Sequence, residues 1–123
     1  MRNYWPATIS NMPTMLYDKS LRSGQNIDFD GNVVVLGDVN PGAEIIAAGH
    51  ILVMGALRGV VHAGASGEEG ATVTALLFSP TQLRIASHIT RPPEDDIPDE
   101  EKPAETARIK NDEVIIEKYQ APR

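Results

Sequence analysis

An internal period of six residues constrains this chain more than any other feature. Every sixth residue from Leu21 is aliphatic: Leu21, Ile27, Val33, Val39, Ile45, Ile51 and Leu57. A second series at the same spacing is small: Gly31, Gly37, Ala43, Gly49 and Gly55. A third is apolar or small: Phe29, Val35, Pro41, Ala47, Val53, Gly59 and Ala65. In a strand, residues i and i+2 share one side. A short strand and a glycine corner fill about six residues, and three such sides make a coil of about 18. Stacked coils form a parallel β-helix of triangular section. The inward row is then Val33, Val35, Val39, Ile45, Ala47, Ile51, Val53 and Leu57. No window carries a sustained helical period with caps, so the chain reads as all-β.

Composition agrees with a narrow prism. The 123 residues fit one domain, and aromatics are only 5 %, so the core must be built from small aliphatics. The absence of cysteine excludes disulfides, a thiolate nucleophile and Cys-ligated metal sites. A net charge of −6 argues against nucleic acid as a partner. No apolar run reaches the ~18 residues of a membrane span. The opening Met-Arg-Asn-Tyr-Trp-Pro lacks the apolar stretch of a signal peptide, so a cytoplasmic location is expected. The predicted organisation is a linker or capping segment over 1–20, a β-helix over 21–91, an acidic Pro-rich linker over 92–106 and a closing β-hairpin over 107–118. Asn111-Asp112-Glu113 supplies the hairpin turn. The solenoid ends need caps, and residues 12–21 and the hairpin are the candidates.

The period also sorts outward residues, because positions 18 apart lie on the same side of successive coils. The side carrying 33–36 and 51–54 points Val34, Leu36, Leu52 and Met54 outward. It is apolar on both surfaces, which on a protein surface marks an interface. A homodimer built on this side is the expectation, with coverage by the terminal segments as the alternative. The next side points Asn40, Gly42, Arg58 and Val60 outward, and the last Glu44, Ile46, Ala48 and His62. The period slips after about residue 60, leaving Phe78, Leu83 and Ile85 without an assigned side.

Reactive chemistry is sparse. His50 and His62 lie two sides of the coil apart and do not converge as metal ligands. Ser66, His62 and Asp38 can be assembled into a hydrolytic triad on paper, but nothing fixes their geometry. Ala63-Gly64-Ala65-Ser66-Gly67 lacks the Gly-Lys-Ser/Thr ending of a phosphate loop. The acidic run lacks the alternation of a calcium loop and reads as a solvated linker. No metal, cofactor or catalytic residue is expected. Hexapeptide-repeat acyltransferases share the period, but their repeat wants Gly, Ala, Glu or Asp after the aliphatic. Here those positions hold Val34, Asn40, Ile46, Leu52 and Arg58.

Residues 16–118 resemble the C-terminal domain of the bacterial septum-site-determining MinC family. The resemblance rests on Leu21-Arg22-Ser23-Gly24-Gln25, on the run from Val34 to Ile45, on Ala48 to Gly59 and on Ala63 to Gly67. It implies a right-handed β-helix that homodimerises through one apolar face and has no enzymatic role. It further implies binding to the ATP-bound form of the membrane-associated ATPase MinD, which would bring the chain to the membrane only indirectly. Engagement of the C-terminal tail of the division protein FtsZ is implied too, with division rings blocked away from the proper site. The family's MinD-contacting motif maps onto Arg22, Ser23, Gly24 and Gln25, and Asp38, Gly42 and Glu44 extend it. Arg58 is the expected anchor for the acidic FtsZ tail; Val60 stands where some relatives carry a second basic residue. Relatives also carry an N-terminal domain that performs most FtsZ inhibition, and residues 1–20 are too short to be one. The chain is therefore expected to recruit, dimerise and compete rather than inhibit strongly. A bactofilin-like polymer-forming scaffold is the structural alternative.

Overall fold

The computed structural model describes residues 12–92 and 94–122. Among the described residues, eleven short strands form two sheets. One holds β1 (Thr14–Tyr17), β3 (Asn32–Val35), β5 (Ile51–Leu57), β7 (Val73–Phe78), β10 (Glu105–Lys110) and β11 (Glu113–Lys118), in that spatial order. The other holds β2 (Asn26–Phe29), β4 (Glu44–Ala47), β6 (Val60–Ala63), β8 (Gln82–Ile85) and β9 (His88–Thr90). A third side consists of single bridges, Leu21 to Val39 and Val39 to Leu57, both parallel. These three sides close a short triangular parallel β-helix.

Thr14 pairs with Asn32, Asn26 with Glu44 and Val33 with Ile51, each an offset of 18 residues. The expected inward row is buried throughout: Val33, Val35, Val39, Ile45, Ala47, Val53 and Leu57 are fully enclosed and Ile51 nearly so. Each buried aliphatic side chain contributes about 1.5–3 kcal/mol, so a prism without large aromatics still holds together. The later slip of the period also has a physical reason. Glu44 pairs with Val60, an offset of 16, and Val60 with Gln82, an offset of 22. The corners absorb the missing and extra residues while the ladders continue. Phe78 consequently ends β7, and Leu83 and Ile85 point inward from β8, both fully buried.

Two boundaries and two placements differ from the sequence reading. The first coil begins within the expected 1–20 segment, because β1 already pairs with β3 in parallel. The closing hairpin starts at Glu105, so Glu105 and Thr106 belong to a strand rather than the linker; Thr106 is buried and its hydroxyl bonds that of Thr74 at 2.9 Å. The acidic segment is tied to the body, as described below. Ala48, expected to face outward, is buried at a corner. Residues 1–11 of the N-terminal segment lie outside the described residues.

Both sheets end in antiparallel hairpins: β8 turns back as β9, and β10–β11 adds to β7. Asn111 and Asp112 both have positive φ, 52° and 65°, the signature of a two-residue hairpin turn. Ile109, Val114 and Ile116 pack against the core and cap the last coil.

Candidate partner-binding surface

The Arg22-Ser23-Gly24-Gln25 segment forms a tight turn between the bridged side and β2. The Gln25 amide donates to the Arg22 carbonyl at 2.9 Å, and Gly24 sits third with φ 86°, the pattern of a type II turn. Gln25 Oε1 accepts the Arg22 amide at 2.7 Å and locks the turn from the side-chain end. One coil on, Asn40-Pro41-Gly42-Ala43 repeats the same turn, with Ala43 bonded to Asn40 at 3.0 Å and Gly42 at φ 87°. The two turns stack, the Gly24 amide donating to the Gly42 carbonyl at 2.9 Å. Any Cβ on Gly42 would run into the Ser23 hydroxyl. Glu44 joins the patch through its amide, which donates to the Gln25 carbonyl at 3.1 Å. Arg22, Ser23, Gly24, Gln25, Gly42 and Glu44 are therefore contiguous, and all are exposed.

Asp38 does not join them. It lies at the other corner of the bridged side, where its carboxylate accepts the Ala56 amide at 2.7 Å and its own amide donates to the Ser20 hydroxyl at 2.9 Å. Its side chain ties successive coils together. The paper triad likewise falls apart: His62 Nε2 donates to the Ala86 carbonyl at 2.9 Å, away from Asp38. Among the described residues no cluster of three acidic or histidine side chains could hold a metal ion.

Arg58 stands on the same edge as the turn. Arg22, Asn40 and Arg58 each follow a bridged residue by one position, so they form a column along the helix axis. With rungs about 4.8 Å apart, Arg22 and Arg58 are separated by about 10 Å along that edge. The 18-residue spacing carried this signal, but the repeat alone did not link the two arginines. Arg58 is not free: its Nη2 lies 3.2 Å from Asp99 Oδ2.

The apolar side places Val34 beside Leu52 in adjacent strands, both half-buried, with Leu36 and Met54 exposed at 48 % and 44 %. It also presents Leu16, Leu76 and Tyr119, which the sequence reading missed. Leu16 precedes Val34 by 18 residues, so the period could have found it; Leu76 lies past the slip. Leu52, Met54, Leu76, Ala104 and Tyr119 line a shallow groove, with His50 at its edge. His50 Nδ1 accepts the Thr72 amide at 3.0 Å, and the Thr72 hydroxyl lies 2.8 Å away. Burial holds the His50 pKa below its ordinary value, against a weaker opposing pull from Glu68.

Comparison with known proteins places this architecture. Residues 15–119 match the family model "Septum formation inhibitor MinC, C-terminal domain". A probable septum site-determining protein MinC from Heliobacterium modesticaldum is 57 % identical over 106 residues, covering 86 % of this chain and 36 % of that protein. One from Acetivibrio thermocellus is 49 % identical over 119 residues, covering 97 % and 52 % respectively. The chain thus spans about half the length, or less, of these relatives. A chain from the solved "MinC:MinD cell division protein complex" of Aquifex aeolicus superposes with a TM-score of 0.81 at 34 % identity, covering 89 % of each chain. The family is one of division inhibitors, not enzymes. With its coil stack, its paired corner turns and a family match over most of its length, this chain belongs to the MinC C-terminal domain family.

Proposed function

We propose that this chain is a dimeric adaptor that binds ATP-bound MinD and so helps block FtsZ ring formation at wrong sites. The observation that supports it most is the likeness to the Aquifex aeolicus chain solved in a complex titled MinC:MinD, over 89 % of this chain. MinD docks on the stacked turns, with Arg22, Gln25 and Glu44 as polar contacts and Gly24 and Gly42 allowing close backbone approach. Asp38 contributes by holding the coils under the turn. The apolar side, with Val34, Leu36, Leu52 and Met54, pairs two copies about a two-fold axis. Arg58 receives the acidic FtsZ tail. The chain works in the cytoplasm and reaches the membrane through MinD; among the described residues no helix is long and apolar enough to cross one.

Co-sedimentation with MinD, ATP and lipid vesicles tests this reading. Wild type pellets with MinD only when ATP is present, and Arg22→Ala stays in the supernatant while remaining folded and dimeric. Unchanged pelleting of Arg22→Ala would remove the corner from the binding site.

A further inference from the structure

The acidic segment is exposed along 94–101, yet an ion pair ties it to the body of the protein. Its carboxylates are Glu94, Asp95, Asp96, Asp99, Glu100 and Glu101. Residues Asp99–Glu101 form a 3₁₀ turn. The Ile97 amide donates to the Asp95 carboxylate at 3.0 Å. Lys102 Nζ, on a side chain only 15 % exposed, lies 3.4 Å from Asp95 Oδ1 and 3.6 Å from Asp99 Oδ1. That lysine fixes Asp99 so that its second oxygen meets Arg58 Nη2 at 3.2 Å. The same segment borders Phe78, Ser79, Pro80 and Thr81, the corner one coil beyond Arg58. Thr81 Oγ1 in turn donates to the Arg58 carbonyl at 2.8 Å.

We propose that the 94–101 segment is an autoinhibitory strap, in which Asp99 occupies the Arg58 guanidinium that an acidic, extended peptide partner must engage. This rests on the reading of Arg58 as an acidic-tail anchor. The strap presents a carboxylate on an acid-rich stretch, the group that an acidic peptide would offer, but at intramolecular concentration. Arg58 and Asp99 side chains are 40 % and 53 % exposed, so the contact is weak and yields to a competitor. Such a strap lowers apparent affinity by the fraction of molecules in which it is closed.

Fluorescence anisotropy with a labelled FtsZ-tail peptide tests it, using the full chain and the variants Asp99→Asn, Glu100→Gln, Arg58→Ala and Arg58→Ala/Asp99→Asn. Glu100→Gln removes the same charge from the same turn, and Glu100 has no ion-pair partner among the described residues. Asp99→Asn is expected to tighten binding about two- to five-fold, Glu100→Gln to leave it nearly unchanged, and the double variant to bind as weakly as Arg58→Ala. Equal tightening by Glu100→Gln and Asp99→Asn would overturn the strap in favour of a general charge effect. No tightening by Asp99→Asn, with Arg58→Ala still weakening binding, would overturn the strap and leave the anchor standing. Full binding by Arg58→Ala would overturn the anchor, and the strap with it.

Discussion

Gly24 and Gly42 hold the same left-handed backbone one coil apart, but their surroundings differ. A Cβ on Gly24 would meet nothing within 4 Å, whereas one on Gly42 would press on Ser23, with its Cβ 3.0 Å and its Cα 3.3 Å away. Gly24→Ala should therefore cost only the backbone strain, about 1–2 kcal/mol. Gly42→Ala should cost at least ~1 kcal/mol more, because Ser23 must move with its own turn. Urea denaturation of both variants checks this, and equal losses would contradict the stacked-turn geometry. The Arg-Ser-Gly-Gln motif was legible as a turn because glycine there frees the backbone. Its stacking on Asn40-Pro41-Gly42-Ala43 follows from the 18-residue offset. What no local pattern shows is the competition at Arg58, since Asp99 arrives from 41 residues away in sequence.

Individual coils are short, so much of their cohesion runs between them. Along one corner, Asn32 Oδ1 accepts the His50 amide at 2.8 Å, and His50 Nδ1 accepts the Thr72 amide. Along another, Ser20, Asp38 and Ala56 form a second ladder. The hydrophobic period made the core and strands of the first three coils readable but hid these ladders. A polar residue at a corner looks the same in sequence whether it faces solvent or caps the next coil. The slip after residue 60 defeated side assignment for a related reason: backbone pairing tolerates corners of any length that closes, so the period need not survive. The His50 ladder carries a pH signature. Its folded pKa lies below the unfolded value of 6.5, because burial disfavours the charged ring more than Glu68 favours it. The contribution is thus fully present above pH 6.5 and is lost as pH falls through the lower folded value. His50→Asn should flatten stability between pH 7 and 5 relative to wild type, measured by urea midpoints. Parallel curves for the two proteins would rule out His50 as the cause.

At the scale of the whole molecule, three surfaces face different ways: an apolar side, a polar edge of stacked turns, and a capped C-terminal end. The antiparallel hairpins β8–β9 and β10–β11 end the parallel stack, which disfavours polymerisation by continued coil stacking. Light scattering should therefore give a dimer and not filaments. Leu52→Asp should give a folded monomer, since it places a charge at the centre of the apolar side; a persistent dimer would move the interface elsewhere. A two-fold dimer built on that side leaves both polar edges open, one per copy. The measurement that bears most directly on the docking surface is amide hydrogen exchange of the chain with and without MinD and ATP. Protection concentrated at residues 22–25 and 40–44 is the predicted result. Protection confined to the apolar side or the closing hairpin, with those turns unchanged, would contradict it.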